Sequence, residues 1–239
     1  MKFSKLLALV LVVVLLGSVT LVACGGDKDN GKPIDNGQTT DNNGNNTNGE
    51  DDDELVVPGM ETNVKLSVGD KMPNLEFDLH PCSLGIKTSL SQYMEDEELE
   101  VLVVDFWAVW CEPCKEELPF LEDDYRHYGE KGLGVLAVTI DECSQEEEIQ
   151  ETLEVDPKIH KSFDKLGYPK ATAEDPYVRD ITYGIPVDGN REMAKQLGVT
   201  SIPRTFLIDQ DMTILYQHTG FDESKVHALT EAIKEALGE

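Results

Sequence analysis

Two cysteines separated by two residues carry the most distinctive chemistry in this chain. The run Val101 to Ala108 is rich in β-branched and aromatic residues, and it leads into residues 110–114 (WCEPC) before a polar, helix-forming segment begins. This order predicts a strand that delivers both cysteines to the first turn of a helix, where free N–H groups and the helix dipole favour a thiolate. We therefore expect Cys111 to be the nucleophile, and Cys114 to be the less exposed cysteine that closes and opens a disulfide.

Zinc binding and a purely structural disulfide are the other interpretations of this pair. A structural zinc site needs two further Cys or His ligands in paired spacing, whereas Cys24, Cys82 and Cys143 are scattered and no histidine lies near the pair in sequence. A structural disulfide across so short a loop would close little chain entropy and would stabilise weakly. Redox chemistry is therefore favoured, and the sequence implies neither a metal nor another cofactor.

Residues 105–119 (DFWAVWCEPCKEELP) resemble the active site of the thioredoxin superfamily, and within it the membrane-anchored TlpA/ResA-like branch. The resemblance implies that Asp105 is a buried acid, that Pro119 kinks the active-site helix and that Glu117 is the glutamate that the ResA-like branch carries three residues after its second cysteine. Either carboxylate could then accept the proton of Cys114. If both are partly buried, their repulsion should raise at least one of the two pKa values toward neutrality. The alternative for Glu117 is an ordinary exposed helix glutamate.

Residues 198–203 (GVTSIP) resemble the segment that ends in the cis-proline of this superfamily. The resemblance implies a cis bond before Pro203 and a backbone at Ile202 that pairs with a client as an added strand. Arg204 stands where the family usually has a small polar residue, so it brings a cation near the site that could favour a thiolate or select acidic clients. Further residues expected to contact clients are Trp110, Glu112 and Pro113.

The resemblance covers about residues 64–239 and implies a thioredoxin-like α/β fold, with a central mixed sheet flanked by helices. An insertion at about residues 144–182 contains a charged, helix-prone part and an irregular part, and it either contacts clients or forms a solvated surface helix with a loop. The patterns of the residues themselves predict an N-terminal β-hairpin (74–80 and 86–90), a buried parallel strand (133–141), an antiparallel pair (205–209 and 214–218) and a C-terminal amphipathic helix (224–237).

The N-terminal residues predict export and membrane attachment. Residues 1–23 combine early lysines, the apolar run Leu6 to Leu16 and a lipobox-like end, which indicates a lipoprotein signal peptide with lipid on Cys24. An uncleaved transmembrane anchor is the alternative. Residues 24–58 are rich in Gly, Asn and Asp and predict a flexible acidic linker ahead of a domain at 59–239. Both interpretations place the domain outside the cytoplasm, on a bacterial membrane.

The remaining composition limits the partners. A formal net charge of −27 argues against nucleic acid, because phosphate binding needs a basic face. Cys82 and Cys143 are predicted to form a structural disulfide, with two free buried thiols as the alternative.

A thiol–disulfide oxidoreductase follows as the predicted function. The resemblance favours reduction of client disulfides, as in cytochrome c maturation or general thiol reduction, with electrons from a membrane thiol donor similar to CcdA or DsbD. A disulfide donor in oxidative folding stays open, because reduction potential sets the direction. A copper-site thiol reductase or metallochaperone similar to Sco would want a wider cysteine spacing and a distal histidine. A peroxiredoxin would need Thr and Pro before its cysteine, where this chain has residues 108–110 (AVW).

Overall fold

The structure is a computed structural model that describes residues 55–60, 62–78 and 87–239. The predicted signal peptide, Cys24 and Cys82 lie outside these residues. In chain order the elements are β1 (Leu55–Val56), β2 (Glu76–Asp78), β3 (Lys87–Ser89), α1 (Leu90–Asp96), β4 (Val101–Trp107), α2 (Glu112–Tyr128), β5 (Leu133–Thr139), α3 (Glu146–Val155), α4 (Pro157–Lys165), α5 (Glu192–Gln196), β6 (Ser201–Ile202), β7 (Arg204–Asp209), β8 (Ile214–Thr219) and α6 (Glu223–Leu237).

A four-stranded mixed sheet in the order β5-β4-β7-β8 forms the centre of the fold. β4 pairs in parallel with β5 and antiparallel with β7, and every residue of β4 and β5 is buried. Strands buried on both faces read as continuous apolar runs, which is why both were predictable. The register places Asp105 opposite Thr205, and Thr205 opposite His218 of β8. Asp105, Thr205 and His218 therefore form one buried polar row across the sheet.

The helix α2 connects β4 to β5 and begins at the cysteine pair. Cys111 is its N-cap, and the Cys111 sulfur accepts a hydrogen bond from the Cys114 N–H at 3.3 Å. Pro113 occupies the first turn, where no N–H is needed, and the helix continues through Pro119. Fully buried apolar side chains form the core around this sheet, and each contributes about 1.5–3 kcal/mol of transfer free energy; they include Phe106, Leu118, Phe206, Leu229 and Ile233.

The additions to this centre agree with the patterns in the sequence. β2 and β3 pair antiparallel with Phe77 opposite Thr88, as the two strands of the predicted hairpin. The insertion contains two helices rather than one, because Pro157 starts α4 and the side chain of Asp156 caps it by accepting from the Lys158 N–H at 2.8 Å. Beyond α4, the chain returns to place residues 184–187 in parallel bridges beside β5.

The packed part of the chain begins earlier than the predicted boundary at residue 59. β1 pairs antiparallel with β6, and Val57 is buried. The last residues of the predicted linker therefore belong to the fold, because their apolar side chains find a place in the core. Among the residues that the structure describes, no helix is long and apolar enough to cross a membrane.

Candidate active site

Cys111 and Cys114 form a disulfide at the start of α2, with their Cα atoms 5.3 Å apart. We expected Cys114 to be the less exposed of the two, but both are fully buried. Cys111 is more buried than we expected because its sulfur faces the start of the helix, where it accepts from the Cys114 N–H. Of the residues expected to contact clients in this motif, Trp110 and Glu112 are exposed and Pro113 is half-buried.

Asp105 and Glu117 lie close together, and both are fully buried. The Thr205 hydroxyl joins them, at 3.0 Å from Asp105 Oδ1 and 2.8 Å from Glu117 Oε1. β4, α2 and β7 thus each contribute one side chain, and the alternative of an exposed Glu117 is excluded. Glu117 also lies one helical turn after Cys114, so the two share a face of α2.

Burial is the main cause that raises the pKa of Asp105 well above its usual range. Repulsion from Glu117 raises this pKa further, while the hydrogen bonds from Thr205 and from the Phe106 backbone oppose the shift. Repulsion between the two partly buried acids was the expected cause of a raised pKa, whereas desolvation contributes more. This arrangement favours the protonated form of Asp105 more than water does, in a site that holds a second carboxylate.

His218 completes this group and was missed by the sequence analysis, which found no histidine near the cysteines. Its Nε2 lies 3.0 Å from Glu117 Oε1 and 3.3 Å from Thr205 Oγ1, and its ring is buried. The distance of 101 residues between His218 and Glu117 hides the relationship in the sequence. The signal that could have revealed it is the hairpin register of β7 and β8, which sets His218 opposite Thr205. We call Asp105, Glu117, Thr205 and His218 the buried acid cluster.

The Ile202–Pro203 peptide bond is cis, as the sequence predicts. The backbone before it is already paired, because Leu55 lies opposite Ile202 in the ladder between β1 and β6. The Arg204 guanidinium donates to Thr219 Oγ1 at 2.9 Å and to Gln217 Oε1 at 2.6 Å. It also lies 4.4 Å from the centre of the Phe206 ring.

The opposite face of α2 meets the insertion. Lys115 Nζ lies 2.8 Å from Glu112 Oε1 and 3.0 Å from Asp156 Oδ2, directly beside the second cysteine in sequence. One residue on, Glu116 Oε1 lies 2.6 Å from the Nζ of Lys158 in α4. The insertion therefore packs against the active-site helix instead of standing apart from it.

Cys143, the partner proposed for Cys82, is in the disulfide form. Cys82 lies outside the described residues, so the pairing stays a prediction. Cys24 lies outside them as well, and its lipidation also stays a prediction. Within the described ranges, no group of three or more His, Cys, Asp or Glu side chains could hold a metal ion.

Comparisons with known proteins agree with this geometry. The AhpC/TSA family profile matches residues 68–217. A thiol-disulfide oxidoreductase ResA from Oceanobacillus iheyensis is 31% identical over 154 residues, which cover 64% of this chain and 66% of that protein. A ResA from Bacillus thuringiensis is 26% identical over 171 residues, which cover 71% of this chain and 79% of the relative. The chain thus spans about two thirds or more of the length of these relatives.

A solved structure also resembles the fold. A Chlorobium tepidum protein assigned as the thiol:disulfide interchange protein DsbE superposes with a TM-score of 0.50 at 26% identity, and the match covers 73% of this chain and all of that one. The thioredoxin-like α/β fold that the sequence predicts is confirmed.

Proposed function

Because the chain belongs to the AhpC/TSA family and is a thiol–disulfide oxidoreductase like its ResA relatives, we propose that it reduces client disulfides through Cys111 and Cys114. One observation carries this proposal: the two cysteines are bonded to each other at the start of a helix whose next turn places Glu117 beside a second buried acid. A structural disulfide would need neither the helix N-terminus nor a pair of desolvated carboxylates.

The first step of the proposed reaction starts from the reduced pair. The Cys111 thiolate attacks one sulfur of a client disulfide, a bond forms between Cys111 and the client, and the other client sulfur leaves as a thiolate. The free N–H groups and the dipole at the start of α2 stabilise the negative charge on Cys111. The Cys114 N–H, which bonds to the Cys111 sulfur, is one such donor.

The second step releases the client. Cys114 gives its proton to a carboxylate of the buried acid cluster, and the resulting thiolate attacks the Cys111 sulfur. The Cys111–Cys114 disulfide forms, the client leaves with its second thiolate, and two electrons have passed from the cysteine pair to the client. A membrane thiol donor, similar to CcdA or DsbD, would then restore both thiols.

Clients are proposed to dock as an added strand on the backbone before Pro203. Support comes from the buried Ile202 and from a backbone that already accepts a strand, β1, on this edge. Trp110 and Glu112 supply exposed side chains beside the cysteines. Apocytochromes c and other extracytoplasmic thiol proteins are the proposed client classes.

We also propose that the domain works outside the cytoplasm, attached to a bacterial membrane by lipid on Cys24. Support comes from the lipobox-like end of the signal sequence and from the acidic linker after it. Mass spectrometry of the membrane-bound protein should find a lipidated N-terminal Cys24. A Cys24→Ser variant should lose that lipid, and recovery of an unmodified Cys24 in the native protein would contradict the anchor.

The experiment that tests the redox proposal is a titration of the cysteine pair against glutathione and dithiothreitol at pH 7. A Cys82→Ser/Cys143→Ser variant serves as the control, so that only Cys111 and Cys114 contribute. A reduction potential near that of thioredoxin, about −270 mV, supports a reductant. A value near that of DsbA, about −120 mV, would instead make the protein a disulfide donor and contradict the reductive direction.

A trapping experiment tests the order of the two cysteines. A Cys114→Ser variant should accumulate a mixed disulfide with oxidised insulin, because the resolving sulfur is missing. A Cys111→Ser variant should form no such adduct. Equal trapping by both variants would contradict the assignment of Cys111 as the nucleophile.

A further inference from the structure

In the buried acid cluster, the Thr205 hydroxyl alone cannot supply a hydrogen to every close contact between polar atoms. Counting the available hydrogens therefore indicates which other groups donate. The Thr205 hydroxyl has a single hydrogen, yet its oxygen lies within hydrogen-bond distance of Asp105 Oδ1, Glu117 Oε1 and His218 Nε2. Two ionised carboxylates could only accept from that one hydrogen. At least one further group must therefore donate.

Asp105 is the carboxyl group whose environment favours the protonated form. Burial raises its pKa, and the nearby Glu117 raises it further. A protonated Asp105 can donate to Thr205 Oγ1, which leaves the Thr205 hydrogen free to point at Glu117 Oε1. The chain of hydrogen bonds then runs in one direction, from Asp105 through Thr205 to Glu117.

His218 supplies the second donor to Glu117. Its Nδ1 has no hydrogen-bond partner among the described residues, so a hydrogen on Nδ1 would be a buried donor without an acceptor. A neutral ring with its hydrogen on Nε2 avoids this, and that hydrogen points at Glu117 Oε1, 3.0 Å away. Glu117 Oε1 thus accepts from both Thr205 and His218. Its other oxygen, Oε2, has no partner within the same described part of the chain.

From this arrangement we propose that His218 is a positioning residue for the release step: it donates to Glu117 Oε1 and leaves Oε2 without a donor, so that Glu117 and not Asp105 takes the proton of Cys114. The inference rests on the proposed function and assigns separate roles to two acids that the sequence leaves equivalent. In the step itself, the S–H bond of Cys114 breaks, its proton moves to Glu117 Oε2, and the thiolate closes the disulfide with Cys111.

Other titratable groups surround this site and must be considered in any pH experiment. Tyr216 of the same strand has its ring 5.7 Å from that of His218. Tyr183, beside β5, donates its hydroxyl to the Leu118 carbonyl and is buried near both acids. From α6, Lys225 donates to the Thr219 carbonyl at the end of β8. Burial raises the pKa values of Tyr183 and Tyr216, so neither titrates near neutral pH.

The test compares two His218 variants by rapid mixing and acid trapping with insulin as client. His218→Phe keeps a buried ring without a donor, whereas His218→Gln keeps a donor. Loss of a hydrogen bond to a charged group should slow release of the mixed disulfide about tenfold at pH 7 in His218→Phe, with the pH of half-maximal release moved upward. His218→Gln should recover most of the rate. The first attack by Cys111 should be unchanged in both variants.

A His127→Phe variant is the matched control, because His127 is an exposed histidine at the far end of α2. It should retain the wild-type pH profile. The proposal is overturned if His218→Phe releases the client with the wild-type pH profile, or if both steps slow equally, as a purely structural defect would cause. Failure of the proposed function looks different, since the wild type would then form no mixed disulfide to release.

A second, independent observation concerns the N-terminal strap, which we define as residues 55–60. The Val57 N–H donates to the Thr200 carbonyl at 2.8 Å. Two residues earlier, Leu55 pairs with Ile202 in the same antiparallel ladder. The Val57 side chain is only 1% exposed, whereas that of Val56 is 70% exposed. The strap is therefore fastened by backbone and side chain to the segment that leads into Pro203.

We infer that the strap is an intramolecular competitor of clients, which occupies the proposed client edge until a client strand displaces it. This inference rests on the proposed docking mode. The strap includes the last residues of the predicted linker, so the anchored end of the chain would leave from the client edge itself.

Val57→Asp tests the strap against the matched control Val56→Asp, which adds the same charge at an exposed position. Val57→Asp should release the strap and accelerate insulin reduction about tenfold. A client strand would then no longer have to replace the one or two backbone hydrogen bonds of the strap. Val56→Asp should match the wild type. The small disulfide dithiobis(nitrobenzoate) has no peptide strand to add, so the rate of its reduction should stay unchanged.

Amide hydrogen exchange at Val57 shows whether the strap has been released. Fast exchange with an unchanged insulin rate would overturn the inference, and so would equal acceleration of insulin and the small disulfide. Should Val57→Asp fold poorly, Val57→Ala provides a milder release with the same two readouts.

Discussion

Two adjacent glutamates on α2 experience opposite environments. Glu116 faces the insertion, where its carboxylate lies 2.6 Å from the Lys158 ammonium at a partly exposed position. Glu117 faces the sheet, where it is fully buried and contacts Thr205 and His218. A helix turns about 100° per residue, so neighbours in sequence can face solvent and core.

The difference separates two uses of charge in the same helix. On the outer face, water and lysines stabilise carboxylates whose main effect is to hold α4 against α2. On the inner face, the surroundings are apolar, and a buried charge without a partner strongly destabilises the protein. The position of each proton therefore affects both the pKa values and the reactivity of the groups there. The outer face should therefore affect stability slightly, and the inner face should affect chemistry strongly.

The largest expected effect comes from removing the proton acceptor of the inner face. Glu117→Gln should slow release of the mixed disulfide by about 10²–10³, the usual contribution of a general base. Glu116→Gln, one residue away, should change this rate less than about twofold. Acid-trapped single-turnover experiments measure both, and similar rates in the two variants would contradict the distinction between the faces.

Asp105→Asn sharpens the same comparison within the inner face. An asparagine amide can still donate to the Thr205 hydroxyl, as the protonated acid does. Asp105→Asn should therefore also slow release of the mixed disulfide, but the release rate of this variant should stay about tenfold higher than that of Glu117→Gln. The reverse order, measured in the same assay, would make Asp105 the acceptor.

The next effect concerns stability and a third acid of α2, Asp124. This carboxyl accepts from the Thr230 hydroxyl of α6, and burial raises its pKa to about 7. Between the unfolded value, about 3.9, and about 7, the folded state binds more protons, so its stability falls as pH rises through this window. An asparagine does not titrate, so Asp124→Asn does not lose stability in this way. Its free energy of unfolding should exceed that of the wild type by about 2–4 kcal/mol above pH 7, with no gain below pH 4.

Urea unfolding at pH 4, 6 and 8 measures this difference. Other carboxyls titrate equally in the wild type and in Asp124→Asn, so the change of the gap with pH isolates Asp124. A constant gap would show that the pKa of Asp124 is the same in the folded and unfolded states.

Local patterns made much of the fold and part of the site predictable. The apolar runs of β4 and β5 and the position of Cys111 before a helix are contained in short stretches of sequence. Resemblance extended this to Asp105, Glu117 and the cis-proline at Pro203. Each of these features is decided within a few residues of its own motif.

His218, the strap and the outer ion pairs could not be read in the same way. His218 joins the site through the register of β7 and β8, and Lys115 meets Asp156 only because the insertion folds back on α2. The apolar residues of the strap follow a polar segment, which hides the two buried side chains, Val57 and Met60, that fasten them. Long-range packing decides all three, and a single sequence does not state it.

A smaller effect on stability is expected at Asp156, where the outer face and the insertion meet. Its side chain caps α4 and also lies 3.0 Å from Lys115 Nζ. Asp156→Ala should lower the free energy of unfolding by about 1–2 kcal/mol, whereas Asp156→Asn keeps the cap and should lose less than about 1 kcal/mol. Urea unfolding separates the two contributions, and equal losses would assign the whole effect to charge.

The smallest effect should come from the Glu116–Lys158 ion pair. The Lys158 side chain is 40% exposed and that of Glu116 is 18% exposed, so water and salt screen their attraction. A double-mutant cycle with Glu116→Gln and Lys158→Met should give a coupling free energy below about 1 kcal/mol, reduced further in 1 M salt. A coupling of several kcal/mol that persists in salt would mean that the outer face is electrostatically as closed as the inner one. The contrast between the two glutamates would then lie in their partners rather than in their exposure to water.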